Sequence, residues 1–165
     1  MSARIGHGYD LHRLEPVAPA GAGRPFVLGG VRVPHDSGPV GHSDGDALLH
    51  AITDAILGAL GEPDIGQLFP DNDARWDGQD SELFLVEALR RMRERGLRVG
   101  NLDATVICER PKIGPAKAAI RANLARLLGC GEDRVNLKGK THEKVDAVGE
   151  GRAIEVHVVT LLEAH

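Results

Sequence analysis

Aromatic side chains are scarce: the 165 residues hold one Trp, one Tyr and three Phe, so the core must rest on Leu, Ile, Val and Ala. An excess of basic charge is lacking too. The net charge is −4, and no basic stretch is interleaved with aromatics, which argues against a nucleic-acid partner. No apolar run is long enough to cross a bilayer, and neither a signal nor a transit peptide is read, so no membrane partner and a cytoplasmic location are expected. Cysteine is limited to Cys108 and Cys130, which lack ligand-like spacing and suit a reducing compartment. Repeats and shifts of composition are missing, so residues 1–165 read as a single domain.

What is present is polar chemistry concentrated in Gly41-His42-Ser43-Asp44-Gly45-Asp46-Ala47-Leu48-Leu49-His50. Ser43 followed three residues later by Asp46 reads as a capping box, which starts a helix near Asp44. The first N–H groups of that helix form a seat for an anion. Two carboxylates beside that seat would repel a phosphate arriving without a cation, and so point to a metal. His50 falls about one and a half turns inside, flanked by Asp46 and Asp54 at i−4 and i+4, either of which could take its second ring N–H.

A second polar cluster lies at the start of the chain. Ile5, His7, Tyr9 and Leu11 alternate with Gly6, Gly8, Asp10 and His12, a strand over 4–14 in which Asp10 and His12 leave from one face. Gly6 and Gly8 on that face leave room for something bulky. Asp10, His12 and His50 make an O,N,N set, the ligand number and type of a catalytic zinc with an open position.

The remaining pattern predicts a hairpin or bulged strand over 26–34, interrupted at Gly29-Gly30, and a loop over 35–40. The first helix runs to about Leu60 with Leu48, Ile52, Ala55, Ile56 and Ala59 as its apolar stripe. A long loop with about one helical turn fills 61–80. A helix follows over 81–96, with Ser81 as N-cap, Gly96 just past its end, and arginines 90, 91, 93 and 95 on a solvated face. Then come a strand over 99–109, a helix over 116–128, and strands over 135–143 and 153–162. The fold class is α+β, a mixed β-sheet with helices packed on one face.

Gly6-His7-Gly8-Tyr9-Asp10-Leu11-His12, His42-Ser43-Asp44-Gly45-Asp46 through His50, Asp64-Ile65-Gly66, Phe69-Pro70-Asp71, Pro111-Lys112 and Thr141-His142-Glu143-Lys144 occur here in one order. The series resembles the 2-C-methyl-D-erythritol 2,4-cyclodiphosphate synthases of the non-mevalonate isoprenoid pathway. That resemblance implies a phosphorus–oxygen lyase assembled as a homotrimer with active sites between subunits. It implies a small-molecule substrate, 4-diphosphocytidyl-2-C-methyl-D-erythritol 2-phosphate, whose 2-phosphate attacks its own β-phosphate and expels CMP. Asp10, His12 and His50 match the ligands of zinc or another divalent transition metal, and Glu143 matches a ligand of a second ion, Mg2+ or Mn2+. His42, Ser43 and Thr141 match catalytic contacts. Asp64, Ile65, Gly66, Phe69 and Asp73 fall on the erythritol-lining loops. Cys108, Lys112, Ile113, Lys140 and Thr141 fall where the adjacent subunit lines the cytidine and phosphate site. Lys140 replaces a small hydroxyl residue common in bacterial members and adds a cation there. Glu150 stands where many of them carry Arg, which weighs against an isoprenoid diphosphate in the central channel of the trimer.

Overall fold

The computed structural model describes residues 3–70 and 72–165. Strand β1 (Arg4–Pro16) leads into a hairpin, β2 (Val27–Leu28) and β3 (Val31–Arg32), whose turn uses Gly29 and Gly30, both at positive φ. The segment expected as a loop over 35–40 contains a short strand, β4 (Ser37–Pro39), paired antiparallel to the end of β1. Helices α1 (Ala47–Leu60), α2 (Ile65–Leu68) and α3 (Glu82–Glu94) follow, then β5 (Leu97–Ile107), α4 (Lys117–Leu128), β6 (Val135–Lys140), α5 (Asp146–Gly149) and β7 (Ala153–Ala164). The sheet order is β4-β1-β7-β5-β6, with β5 and β6 parallel and the other neighbours antiparallel. This is the mixed α+β architecture expected.

Helix α1 is the centre of the core. Eleven of its fourteen residues are buried, well beyond a single apolar stripe, because β1 and β7 cover one side and α3 another. The strand meets the helix through glycine: a Cβ on Gly6 would stand 1.8 Å from the Ala55 carbonyl oxygen, and one on Gly8 1.8 Å from that of Ala51. The bulky object for which the glycines leave room is thus the helix backbone. Alternation along β1 then turns Asp10 and His12 inward and leaves Ile5, Tyr9 and Leu11 exposed, beside Val159 of β7.

The first helix starts later than the capping box implied. Gly45 has φ +76, which breaks the helical path, and the N-cap is Asp46. Its fully buried carboxylate accepts from the N–H of Leu49 at 3.0 Å, Gly29 at 2.9 Å and Gly30 at 2.7 Å. Asp46 therefore fills the seat expected for an anion and ties the hairpin turn to the helix. His50, whose N–H makes a 3.0 Å bond back to the Asp46 carbonyl, lies only one turn in.

Near the other end of the chain β6 stops at Lys140, three residues short of the expected strand, and Glu143 and Lys144 take positive φ. Thr141 and Glu143 therefore do not alternate on a strand. On α3, Arg91 and Arg95 are not merely solvated; both reach Glu62, just beyond α1.

Two glycine substitutions separate close packing from backbone strain. Gly8→Ala is expected to lower the unfolding free energy by at least about 3 kcal/mol, because the added methyl meets helix backbone that cannot swing aside. Gly61→Ala, with open space around it but φ +71, should cost only about 1–2 kcal/mol. Urea unfolding of both variants checks the ordering.

Candidate active site

The inward residues of β1 meet the first turn of α1. Asp10 Oδ2 lies 2.8 Å from His12 Nε2 and 3.2 Å from His50 Nδ1, and the two ring nitrogens are 3.2 Å apart. Among the described residues this is the one group of three metal-ligating side chains whose donor atoms converge. A tetrahedral ion with bonds of about 2.0–2.1 Å sets its ligand atoms about 3.3 Å apart, so the triangle is close to one face of that tetrahedron.

The electrostatics carry the same message. Burial pushes the Asp10 carboxyl up, but hydrogen bonds to His12 and His50 and their charges outweigh it and hold Asp10 well below the usual carboxylate range. Burial pulls His12 down, and the hydrogen bond and charge of Asp10, with a bond to the Val40 backbone, more than offset it and raise the imidazole. A carboxylate and two imidazoles facing one another over about 3 Å need positive charge at their centre. A proton on His12 supplies it in part, and a divalent cation supplies it fully. The residues present fit a metal.

Neither aspartate flanking His50 on the helix touches its ring. Asp46 is occupied as described, and Asp54 accepts from the Ile65 N–H at 2.8 Å, pinning the start of α2. The second ring nitrogen, Nε2, instead meets Ser81 Oγ at 2.8 Å and Ser43 Oγ at 3.2 Å. Ser81 was expected as a helix cap, but its side chain caps nothing.

A cleft of 310 Å³ opens over this centre, and His42, Ser43, Ile65, Gly66 and Phe69 line it with the three candidate ligands. Asp64 stands beside it as the N-cap of α2, in a capping box with Gln67, and its side chain does not line the cleft. Asp73 caps a 3-10 turn (Ala74–Trp76) and pairs with Arg75, also off the lining. Asp71 lies outside the described residues. Two lining aromatics were missed in the sequence: Trp76 and Phe84, which with Phe69 form a cluster of edge and tilted contacts. Among the described residues the buried Trp76 Nε1–H has no hydrogen-bond partner. Their signal was only the scarcity of rings in the chain. Arg24, in a loop that seemed uninformative, bonds the carbonyls of Gly41 and His42 and the Asp77 carboxylate, fixing the rim.

The other expected residues gather elsewhere. Cys108, Lys112, Ile113, Lys140 and Thr141 line a 350 Å³ cleft together with Lys117. Burial pushes the Cys108 thiol up to about 11, so it stays neutral and lines rather than attacks. Glu143 sits in the turn after β6, its carboxylate accepting from Thr141 Oγ1 at 3.2 Å. No residue lines both clefts. Leu11, Glu155, Ile107 and Lys140 stand in one row across β1, β7, β5 and β6, so His12 and Lys140 share one end of the sheet. Three strand spacings, about 14 Å, separate their strands.

Comparison with known proteins gives a consistent result. A family model described as the YgbB family matches residues 3–163. The chloroplastic 2-C-methyl-D-erythritol 2,4-cyclodiphosphate synthase of Catharanthus roseus is 58% identical over 162 residues, 98% of this chain; the chain spans 66% of that relative's length. The synthase of the same name from Dechloromonas aromatica is 49% identical over 163 residues, covering 99% of this chain and 98% of the relative. A solved 2C-methyl-D-erythritol-2,4-cyclodiphosphate synthase in a CDP-bound form superposes with a TM-score of 0.86 at 43% identity, covering 97% of this chain and all of that one. The chain belongs to the YgbB family, that of the 2-C-methyl-D-erythritol 2,4-cyclodiphosphate synthases.

Proposed function

We propose that the protein converts 4-diphosphocytidyl-2-C-methyl-D-erythritol 2-phosphate to 2-C-methyl-D-erythritol 2,4-cyclodiphosphate and CMP, as a phosphorus–oxygen lyase of isoprenoid precursor synthesis. The observation that carries this reading is the convergence of Asp10, His12 and His50 at the floor of a cleft. One oxygen of the 2-phosphate forms a bond to the β-phosphorus, the α–β bridging bond breaks, and CMP leaves with the electron pair. Asp10, His12 and His50 hold zinc or a similar divalent ion, which when bound neutralises charge on the phosphate oxygens. Glu143 serves a second ion, Mg2+ or Mn2+.

The chain's own side chains do the placing. His42 and the Ser43 hydroxyl face the diphosphate and erythritol end, and Ile65, Gly66 and Phe69 wall it off from water. Asp64 caps α2 through Oδ1 and, from beside the cleft, turns its other carboxylate oxygen to the erythritol hydroxyls; Asp73 belongs to the same loop. Lys112, Lys140 and Thr141 take the cytidylate phosphate, with Cys108 and Ile113 against the base. Nucleophile and electrophile belong to one molecule, so alignment supplies much of the acceleration and no protein nucleophile is required.

The two clefts of a single chain are too far apart across the sheet to grip one diphosphate, which supports a homotrimer whose neighbouring subunits each contribute one half. The exposed apolar face of β1 and β7 supports it as well. An isoprenoid diphosphate on the trimer axis gains little from Arg152, which Glu150 already pairs at 2.6 Å. Two free cysteines fit a cytoplasmic protein, and no helix among the described residues is long and apolar enough to cross a membrane.

Product analysis tests the chemistry. The metal-replete protein should release CMP with a cyclic diphosphate; an open-chain phosphate would indicate a hydrolase instead. Asp10→Ala should lose at least about a hundredfold in turnover while CMP binding persists. Persistence of full turnover in that variant removes the metal assignment.

Acid should strip the metal. Zinc has to displace a proton that Asp10 helps His12 to hold, so zinc affinity is retained above the raised His12 value and falls as pH drops through it. Chelator competition across pH reads this directly.

Shared sites predict complementation. Asp10→Ala and Lys140→Ala should each be impaired alone. Co-refolded in equal amounts they should recover on the order of a quarter of wild-type turnover, the fraction of sites built from two intact halves. Sites confined to one chain would show no recovery.

A further inference from the structure

We propose that Ser81 and Asp44 are positioning residues that hold the Nε2 proton of His50 and so present Nδ1 as the nitrogen that takes a metal ion. The inference rests on the metal reading of the Asp10, His12 and His50 centre and adds to it a relay that selects the donor atom. Ser81 is fully buried at the start of α3, where a serine ordinarily caps the helix through its oxygen, yet it makes no such bond. Its hydroxyl lies between two partners from the opening of α1: His50 Nε2 at 2.8 Å and the Asp44 carboxylate.

Counting protons sets the direction. A carboxylate only accepts, and Asp44 is already turned toward donors: Oδ1 accepts from the Asp46 N–H at 3.1 Å and Oδ2 from the Ser81 N–H at 3.2 Å. The single hydroxyl proton of Ser81 therefore goes to Asp44 Oδ1. Lone pairs alone remain on Ser81 Oγ to face the imidazole, and the His50 nitrogen opposite must bring the hydrogen. Ser43 Oγ, 3.2 Å from the same nitrogen, accepts from the Gly45 N–H at 3.1 Å with one lone pair, and its rotatable hydroxyl leaves the second free to accept from His50. Nδ1 is then the nitrogen that faces Asp10 Oδ2 and His12 Nε2, where a metal ion replaces the hydrogen it shares with the Asp10 carboxylate.

The arrangement is cross-braced. Asp44 is held from behind by its own N–H, which donates to the Gln79 carbonyl at 3.0 Å. Two segments 31 residues apart thus meet at His50, and the start of α3 determines which nitrogen the start of α1 presents. Hydrogen bonds of this kind to the far nitrogen raise ligand basicity and stop the ring from turning.

The test uses the full chain and zinc ion alone. Ring 15N shifts of His50 in the zinc-loaded protein should show the metal on Nδ1 and the proton on Nε2. Ser81→Ala should weaken zinc binding about ten- to a hundredfold in chelator competition, with Asp44→Asn weakened in the same direction. Ser81→Thr, which keeps the hydroxyl, should stay within about threefold of wild type. The thermal unfolding midpoint of each metal-free variant reports whether the fold is kept, a readout that a purely structural role would move first. The proposal is overturned by zinc bound to His50 through Nε2 in the wild type, or by Ser81→Ala and Asp44→Asn both binding zinc as tightly as wild type. Should Ser81→Ala fail to fold, the zinc-bound nitrogen in the wild type and Asp44→Asn decide. A wild-type protein that takes up no zinc sinks the metal reading, and this proposal with it, whereas zinc bound through the wrong nitrogen sinks the relay alone.

Discussion

The distance between helix α1 and strand β1 is the constraint on which the site depends. Gly6 and Gly8 let the helix backbone settle onto the strand at a separation that no side chain permits. Only then does His50, one turn into the helix, come down beside Asp10 and His12 on the strand's inward face. Metal ligands tolerate errors of about 0.2 Å in bond length, whereas one methyl group lifts a helix by far more. The two glycines belong to the candidate metal centre as much as its three side chains do, although neither touches it. The small residues on the helix side, Ala51, Ala55 and Ala59, complete the same close approach.

Sliding along the strand is governed by a different contact. Asp46 caps α1 and also binds the N–H groups of Gly29 and Gly30, so the helix start and the hairpin turn share one carboxylate. Three buried donors on one side chain leave the helix few alternative rotations, since each displaced donor would be stranded without a partner. Arg24 performs the equivalent task at the rim, joining the segment before α1 to the turn after α2. Rigid scaffolding on both sides of the cleft explains how a chain with so few aromatic anchors keeps a defined cavity.

The sequence was most legible where one local rule acted alone. Two-residue alternation placed Asp10 and His12 on one face, and helical spacing buried Leu48, Ile52 and Ile56. Local rules failed wherever a side chain had two plausible partners. Ser43 and Asp46 fit a capping box, but Gly45 turns the chain between them and the later residue caps. Ser81 does stand at the N-cap of α3, but its side chain is used across the fold rather than on the helix. Thr141 and Glu143 fit a strand until positive φ at Glu143 and Lys144 ends it. The meeting of residues 10, 12 and 50 followed from no spacing, because contacts across 38 residues leave no periodic trace; the ligand chemistry of the set suggested it and the resemblance agreed. Trp76 and Phe84 went unnoticed for the same reason, sitting in a loop and on a helix that come together only through the cleft.

Charge is divided between the two clefts in a way that a single binding site would not allow. The acidic and imidazole groups lie over β1 and α1, while Lys112, Lys117 and Lys140 gather beyond β5 and β6 at the same end of the sheet. Within one chain Asp10 and Lys140 stand on strands about 14 Å apart, beyond the Debye length at physiological ionic strength, so neither neutralises the other. A diphosphate bent back on its own 2-phosphate carries several negative charges within a few ångströms, and that curvature is stable only with cations on more than one side. A lone chain offers its lysines too far from its metal ligands to provide both. The proposed trimer would resolve this geometry by placing the two half-sites on different subunits, so that the opposing sets come into register across an interface.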